Sequence, residues 1–203
     1  ASDSPHSQLY GEDGNDTLIL SGNSFAATLG GGNGNDTLDV RSFTGTSPGF
    51  ESGLFGGAGS DLYRVGDGAH IYIFDNKDNT SPTDNNVVEF AAGIDLASLQ
   101  LSRSGNDLIV TFATGKTLII PGQFATGGNG NEGGVQTFRF ADGTTWDRAA
   151  IRDHLPILNG NGGDDILNGD ARSEEINGFA GSDTLNGNDG SDTLDGGDGD
   201  DTL

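Results

Sequence analysis

Toward the end of the chain, large apolar residues recur at every ninth position. From Gly160 the sequence divides into consecutive nines: GNGGDDILN, GDARSEEIN, GFAGSDTLN, GNDGSDTLD and the clipped GGDGDDTL. Position eight is Leu167, Ile176, Leu185, Leu194 and Leu203. Position six is Asp165, Glu174, Asp183, Asp192 and Asp201. The last three residues of each nine read as a minimal strand whose large residue faces inward. The glycines ahead of them allow positive φ and a tight turn. Two nines then complete one coil, with a turn at each end.

A looser version of the pattern begins the chain. LYGEDGNDTLIL from Leu9, LGGGNGNDTLDV from Leu29 and LFGGAGSDLYRV from Leu54 align with one another. Their aspartates Asp16, Asp36 and Asp61 are 20 and 25 residues apart, so each interval reads as one coil with a small insertion. The intervening halves, SGNSFAAT and RSFTGTSPGFES, lack the aspartate pattern.

Between the arrays, over residues 66–157, glycine thins out and short apolar runs take over. HIYIF (70–74), NVVEF (86–90), LQLS (99–102), DLIVTF (107–112), KTLIIP (116–121) and QTFRF (136–140) are rich in β-branched and aromatic residues and bounded by turn residues, which predicts strands. Ala113-Thr114-Gly115 and Ala141-Asp142-Gly143 are expected to close hairpins. Phe138 and Trp146 are the expected anchors of a small core. WDRAAIRDHL is expected to form a short helix with Asp147 near its start. Loops 75–86 and 122–134 are polar and rich in Gly and Asn. The fold class expected is all-β: two parallel β-rolls, residues 1–65 and 158–203, flanking a small β-rich module at 66–157.

Composition narrows the partners. Asp and Glu number 31 against 9 Lys and Arg, for a net charge of −22, and hydrophobic residues are only 32%. Such a chain would ordinarily be disordered, but here the acids recur in register. A cation partner is expected. Nucleic acid and membrane insertion are not, since both polyanions and anionic membrane surfaces select basic patches. With no Cys, neither disulfides nor thiolate metal sites can form. No apolar run approaches the roughly 18 residues of a membrane span. The opening ASDSPHSQLY has neither the charged nor the apolar region of a signal peptide. Because Leu203 falls inside a repeat, the chain reads as a piece of a longer protein.

The aspartate has a chemical task in this pattern. A glycine-rich turn can point its carbonyls inward, the carboxylate adds a hard anionic oxygen, and stacking sets turn n over turn n+2. An all-oxygen, flexible cage suits Ca²⁺ better than Mg²⁺ or Zn²⁺. The candidate ligands are the residues at positions one, three and six of the turns. In the first array these are Gly11, Asp13 and Asp16; Gly31, Asn33 and Asp36; Gly56, Ala58 and Asp61. In the second they are Gly160, Gly162 and Asp165; Gly178, Ala180 and Asp183; Gly187, Asp189 and Asp192; Gly196, Asp198 and Asp201. One leucine or isoleucine per nine is too thin a core to offset the ordering of the backbone. The C-terminal array is therefore expected to be largely unfolded without Ca²⁺, so that binding energy becomes folding energy.

GFAGSDTLN, GNDGSDTLD and GGNGNDTLD resemble the nonapeptide repeats of the RTX (repeats-in-toxin) proteins, the haemolysin-type calcium-binding family. GGAGSDLYRVGDG, LQLSRSGNDLIVTF and VQTFRFADGTTWDRAAI resemble that family's repeat-associated segment, in the same order. The resemblance implies right-handed parallel β-rolls, several Ca²⁺ ions in the turns and export by type I secretion machinery. It further implies folding outside the bacterial cell or at its surface, within a longer chain. Three departures bear on the sites. GDARSEEIN has Glu174 for Asp and Arg172 for glycine, which predicts a weak or empty site. In GNGGDDILN, Asp164 stands ready to compete with Asp165. In the first array only one edge is intact, so sites are expected between the turns of Asp16 and Asp36, and of Asp36 and Asp61.

Other motifs carry less. Gly45-Thr46-Ser47-Pro48-Gly49 has the form G-x-S-x-G but lacks the strand, helix and His context of a nucleophile elbow. Gly128–Gly133 has the form G-x-G-x-x-G with no helix pattern after it. His6, His70 and His154 form no metal motif, and the Asn15 and Asn35 sequons read as by-products of the turns. Asp75 and Asp78 read as part of a polar loop, with an additional ion as the lesser alternative. The function expected is a calcium-dependent, non-catalytic structural module of a secreted protein. The alternative is a ligand-binding or adhesion module in which the middle β-segment, residues 66–157, binds a glycan or protein and the β-rolls are its frame.

Overall fold

The computed structural model describes residues 7–23, 26–45, 52–75, 84–104, 106–124, 134–155, 157–169, 174–189 and 192–203. Both G-x-S-x-G and G-x-G-x-x-G fall wholly or mostly outside them, as do His6, Arg172, Asp78 and most of loops 75–86 and 122–134.

The fold is all-β and built mainly from parallel strands. The first three coils each supply a pair: β1 (Ser7–Asp13) and β2 (Thr17–Gly22), β3 (Ala27–Asn33) and β4 (Thr37–Phe43), β5 (Ser52–Ala58) and β6 (Leu62–Val65). The first member of each pair joins one sheet and the second joins the other, so successive coils stack in parallel. Leu9, Leu29 and Leu54 line up as a rung inside the first sheet. Position eight supplies the facing rung of Leu18, Leu38 and Tyr63 in the second.

Both sheets continue past residue 65. β7 (Ile71–Ile73) pairs with β5, and β8 (Val87–Phe90) pairs with β6, again in parallel. Then comes an antiparallel meander of β9 (Leu99–Ser104), β10 (Asp107–Phe112) and β11 (Thr117–Ile120), with β11 docked parallel on β7. β12 (Thr137–Arg139) extends the second sheet from β8, and β13 (Thr145–Asp147) folds back on it. The two hairpins turn at Gly115 (φ 77°) and Gly143 (φ 89°), as their sequences predict. Asp147 caps α1 (Arg148–Asp153) by accepting from the Ala150 N–H at 2.8 Å.

The last coils attach to the meander. β14 (Ile157–Asn159) pairs parallel with β9, followed by β16 (Glu175–Asn177) and β18 (Thr193–Asp195) in the same sheet. β15 (Ile166–Asn168) and β17 (Thr184–Asn186) form a separate small sheet opposite. The first sheet thus holds ten strands from one end of the described chain to the other.

The described residues form two cores. One runs from Leu18 to Leu155 without a break at residue 65 and includes Tyr63, Phe90, Phe138 and Trp146. Phe90 packs edge-on against Phe138 (5.2 Å between ring centres) and stacks on Phe140 (5.0 Å). The other core is Leu158, Leu167, Ile176 and Leu185, with Leu194 partly buried. The final rung, Leu203, is 68% exposed. His70 is hydrogen-bonded to the Thr117 hydroxyl and His154 stacks on Trp146.

Candidate metal centres

The turn between the two strands of a coil explains each residue of GGxGxD. Position two takes positive φ: 111° at Gly32, 100° at Gly57 and 88° at Gly197. Position four does so again, at 131° in Gly34, 122° in Gly59 and 130° in Gly181. Glu12, Phe179 and Asn188 occupy position two with φ of 73°, 77° and 63°, a conformation that costs a side chain on the order of 1–2 kcal/mol. Position one excludes a side chain for another reason. A Cβ on Gly11 would stand 2.6 Å from Asp16 Oδ2 and 2.7 Å from the Gly31 carbonyl oxygen. The same crowding recurs at Gly31 with Asp36 Oδ2 and the Gly56 carbonyl, and at Gly178 with Asp183 Oδ2 and the Gly196 carbonyl.

Position six therefore faces two ways. One oxygen ties the coils together: the Asp16 N–H donates to Asp36 Oδ1 and the Asp36 N–H to Asp61 Oδ1, both at 2.8 Å. In the C-terminal array, Asp165 donates to Asp183 Oδ1 and Asp183 to Asp201 Oδ1, at 2.8 and 2.9 Å. The opposite edge repeats this once, with Glu174 donating to Asp192 Oδ1 at 2.9 Å. The other oxygen, Oδ2 of Asp16, Asp36, Asp61 and Asp183, is buried with no hydrogen-bond partner among the described residues. Each of these lies beside its own position-one glycine. For Asp16, Asp36 and Asp183 the position-one carbonyl of the next coil crowds the same point.

That arrangement is incomplete as a protein-only structure. Asp36, Asp61 and Asp183 are each only 1% exposed. A buried carboxylate oxygen without a donor is costly. Burial, with the charge of Asp16 adding to it, raises the pKa of Asp36 despite the N–H bond from Asp16. Burial, together with the charges of Asp36 and Asp84, pushes Asp61 up to about 6. A hard divalent cation between the carboxylate and the neighbouring carbonyls would remove that penalty, and the donor set fits Ca²⁺. Among the described residues no three acidic or histidine side chains converge on one point. Each turn contributes one carboxylate, so backbone carbonyls would have to complete the shell.

The predicted ligands separate into groups. Positions one and six are brought together in the turns of Gly11 and Asp16, Gly31 and Asp36, Gly56 and Asp61, Gly160 and Asp165, Gly178 and Asp183, Gly187 and Asp192, and Gly196 and Asp201. Position three pairs coil to coil instead: Asp13 with Asn33, Asn33 with Ala58, and Ala180 with Asp198. The carbonyls of Asn33, Ala58 and Asp198 each accept a position-four N–H from the preceding coil, leaving one lone pair apiece. Gly162 borders open space, and Asp189 is exposed.

The three departures have distinct outcomes. A Cβ on Gly169 would meet Glu174 Oε2 at 2.8 Å and the Gly187 carbonyl at 2.7 Å, so the longer side chain reaches the aspartate position. Asp165 accepts from both the backbone and the side chain of Asn161, at 2.8 and 3.0 Å. Asp164 does not enter the turn; it accepts the Ser182 N–H at 2.8 Å. In the first array the turns after β2 and β4 lie largely outside the described residues.

Two features escape the repeat pattern. The ladder continues beyond the repeats: Asp61 N–H donates to Asn86 Oδ1, and Asn86 N–H to Gln136 Oε1, both at 2.6 Å. A parallel ladder runs through position five, from Asn35 N–H to Asn15 Oδ1, Ser60 N–H to Asn35 Oδ1 and Asn85 N–H to Ser60 Oγ. The recurrence of Asn or Ser before each aspartate was the available signal for the second. Nothing in the sequence signalled the first, because amides replace carboxylates there.

Comparison with known families agrees with this geometry. Residues 7–24, 157–171 and 173–203 match the RTX calcium-binding nonapeptide repeat (4 copies). Residues 107–150 match the haemolysin-type calcium binding protein related domain. The turns of Asp36 and Asp61 lie outside both matches and join the repeats by their GGxGxD sequence and by the same geometry. No curated protein matches the chain. The chain carries haemolysin-type calcium-binding repeats, and such repeats bind Ca²⁺.

Proposed function

We propose that this RTX calcium-binding repeat protein is a calcium-conditional structural module of a larger secreted bacterial protein. It leaves the low-calcium cytosol through type I secretion machinery with its C-terminal array unfolded, and completes its folding outside, at or beyond the cell surface. There it holds the neighbouring domains of its parent chain in place. The observation that carries this reading is the set of buried, unpartnered Oδ2 atoms of Asp16, Asp36, Asp61 and Asp183. Ca²⁺ would supply the positive charge those oxygens lack and cross-link adjacent coils. Positions one and six would provide its ligands, with the position-three carbonyls in support. Haemolysin-type repeats occur in secreted proteins, and no described helix is long and apolar enough to cross a membrane. Repeats of this family are generally structural rather than catalytic, so any catalysis would belong to other parts of the parent.

Far-UV circular dichroism during a Ca²⁺ titration, with Mg²⁺ as control, tests the reading. A cooperative gain of β-signal with Ca²⁺ alone is expected. A spectrum already complete in chelator and unchanged by Ca²⁺ would overturn it.

A second reading, ligand binding on the β-roll frame, has one observation in its favour. On the first sheet Phe55 stacks on Phe74 (4.9 Å) and Tyr72 on Phe74 (5.6 Å), while Tyr10 is 63% exposed. The Tyr10 ring lies over Gly30, and Gly31, Gly32 and Phe55 line the same groove. Such a groove with aromatic walls suits the flat faces of sugars. A glycan array in saturating Ca²⁺ tests it, and no signal above background would end it.

A further inference from the structure

Where the third coil meets the fourth, the repeat chemistry changes hands. β7 pairs with β5 so that Leu54 faces Ile73, an offset of 19 residues. The Phe74 N–H donates to the Leu54 carbonyl at 2.8 Å, and Phe74 stacks on Phe55. The same offset carried forward sets Asp75 opposite Gly56. Asp75 thus stands where the repeats have their position-one glycine. Across the turn, Asn86 takes the position-six place, since Asp61 N–H donates to Asn86 Oδ1 and Val87 N–H to the Asp61 carbonyl. The repeats carry glycine at one and a carboxylate at six. This coil carries a carboxylate at one and an amide at six.

Asp75 is only 4% exposed, and neither of its oxygens has a hydrogen bond of good geometry among the described residues, although the Tyr63 hydroxyl and the Asn86 side chain stand close enough to favour its charged form. Asp61 Oδ2 likewise lacks a hydrogen bond among the described residues, and the two carboxyls repel one another with Asp84 adding to both. The Tyr63 hydroxyl is buried against Gly56 and faces Asp75, without a well-formed hydrogen bond to either. None of the described ion pairs brings a basic side chain to either acid; Arg41, Arg64 and Arg139 are engaged with Asp39 and Glu89. Two buried carboxyls on adjacent coils that lack a counter-charge need either a proton or a cation.

We infer that this turn is an additional divalent-cation site of the Ca²⁺ class, held by Asp61 and Asp75, in which the second carboxylate has moved from position six to position one. The site closes the N-terminal ladder where it passes into the middle strands, outside the matched repeats. The inference rests on the reading that the repeat turns themselves hold Ca²⁺.

Equilibrium dialysis with radiolabelled Ca²⁺ on the whole chain tests it, with circular dichroism confirming that each variant is folded. Asp75→Gly restores the repeat residue at position one and deletes the carboxylate; it is expected to bind one ion fewer than the unaltered chain. Asp75→Gly with Asn86→Asp returns the carboxylate to position six and is expected to recover that ion. An unchanged count in Asp75→Gly would overturn the inference and leave a shared proton between the acids, as would a failure of the double variant to recover the ion. Asp36→Asn separates the two readings. If it lowers the count while Asp75→Gly does not, only this site falls. If the unaltered chain binds no Ca²⁺, the repeat reading falls with it.

Discussion

The coils at the two ends use one turn but stand on different foundations. In both, a position-six carboxylate gives Oδ1 to the N–H of the preceding coil, and buried Oδ2 atoms are left without partners. Behind the first three coils lies a core that reaches through Phe90, Phe112 and Phe138 to Leu155. Behind the last coils lie Leu158, Leu167, Ile176 and Leu185, with Leu194 at the margin. The same motif can therefore have two thermodynamic roles. Where apolar burial already orders the backbone, the cation relieves a local electrostatic penalty. Where it does not, the cation must supply the stability of the array.

The largest expected effect of that difference appears on removal of the ion. Hydrogen exchange in chelator should show residues 157–203 exchanging like an unfolded chain, while amides of β7–β12 keep much of their protection. Equal loss at both ends would break the comparison, because the larger core would then be no more self-sufficient than the smaller.

Side-chain truncation should separate the ends next. Phe138→Ala removes a fully buried ring and should cost roughly 3–5 kcal/mol in urea unfolding with Ca²⁺ present. Ile176→Ala, at roughly 2–5 kcal/mol, removes a quarter of the smaller core's fully buried members. It should therefore raise the Ca²⁺ concentration needed to fold the C-terminal array, while Phe138→Ala should leave that concentration nearly unchanged. A shared shift would mean that the two cores unfold as one.

Much of this contrast was legible beforehand, and its limits have physical causes. The nines placed a strand at position eight of every repeat but the clipped last one, where Leu203 is exposed, because one inward residue between tight turns leaves little alternative. The middle strands and both hairpins followed from β-branched runs ended by Gly115 and Gly143. That β7 and β8 would continue the sheets of the first three coils was not legible. Sheet pairing is a long-range choice, and the Leu54–Ile73 rung crosses a change in sequence character at residue 65. The position-one and position-six residues were identifiable because the glycine must vacate the space the carboxylate fills. Asn86 and Gln136 were hidden, since each serves the ladder without the repeat's residue types; Asp75 read as part of a polar loop, with an additional ion only as the lesser alternative, because its burial is set by the neighbouring coil.

Acidity should sharpen the comparison by a smaller amount. In the first array burial raises Asp36, and it pushes Asp61 to about 6 and Asp75 to about 7, above the 3.8 of a free aspartate. Without Ca²⁺ the folded state then holds protons that the unfolded state releases. Its stability should fall as pH rises from about 3.8 through 6 to 7. Saturating Ca²⁺ favours the ionised carboxylates and should reverse the slope. Thermal midpoints at pH 5 and 7.5, with chelator and with Ca²⁺, check the sign. A chelated protein that is more stable at the higher pH would contradict the burial of these acids.

The smallest effect compares the same defect on the two foundations. Glu12 (φ 73°) and Phe179 (φ 77°) both occupy position two, where Gly32, Gly57 and Gly197 take positive φ without strain. Replacing either with glycine removes the strain but adds entropy to the unfolded chain, so the gain should be at most about 1 kcal/mol. Phe179 is 54% exposed, so little apolar burial is lost with its ring. In the C-terminal array, whose folding is coupled to the ion, Phe179→Gly should lower the Ca²⁺ midpoint by up to about fivefold. In the first array Glu12→Gly should leave the folding midpoint almost where it was, because the larger core already orders that coil. A Glu12→Gly shift as large as the Phe179→Gly shift would show that the first coil depends on Ca²⁺ as fully as the last.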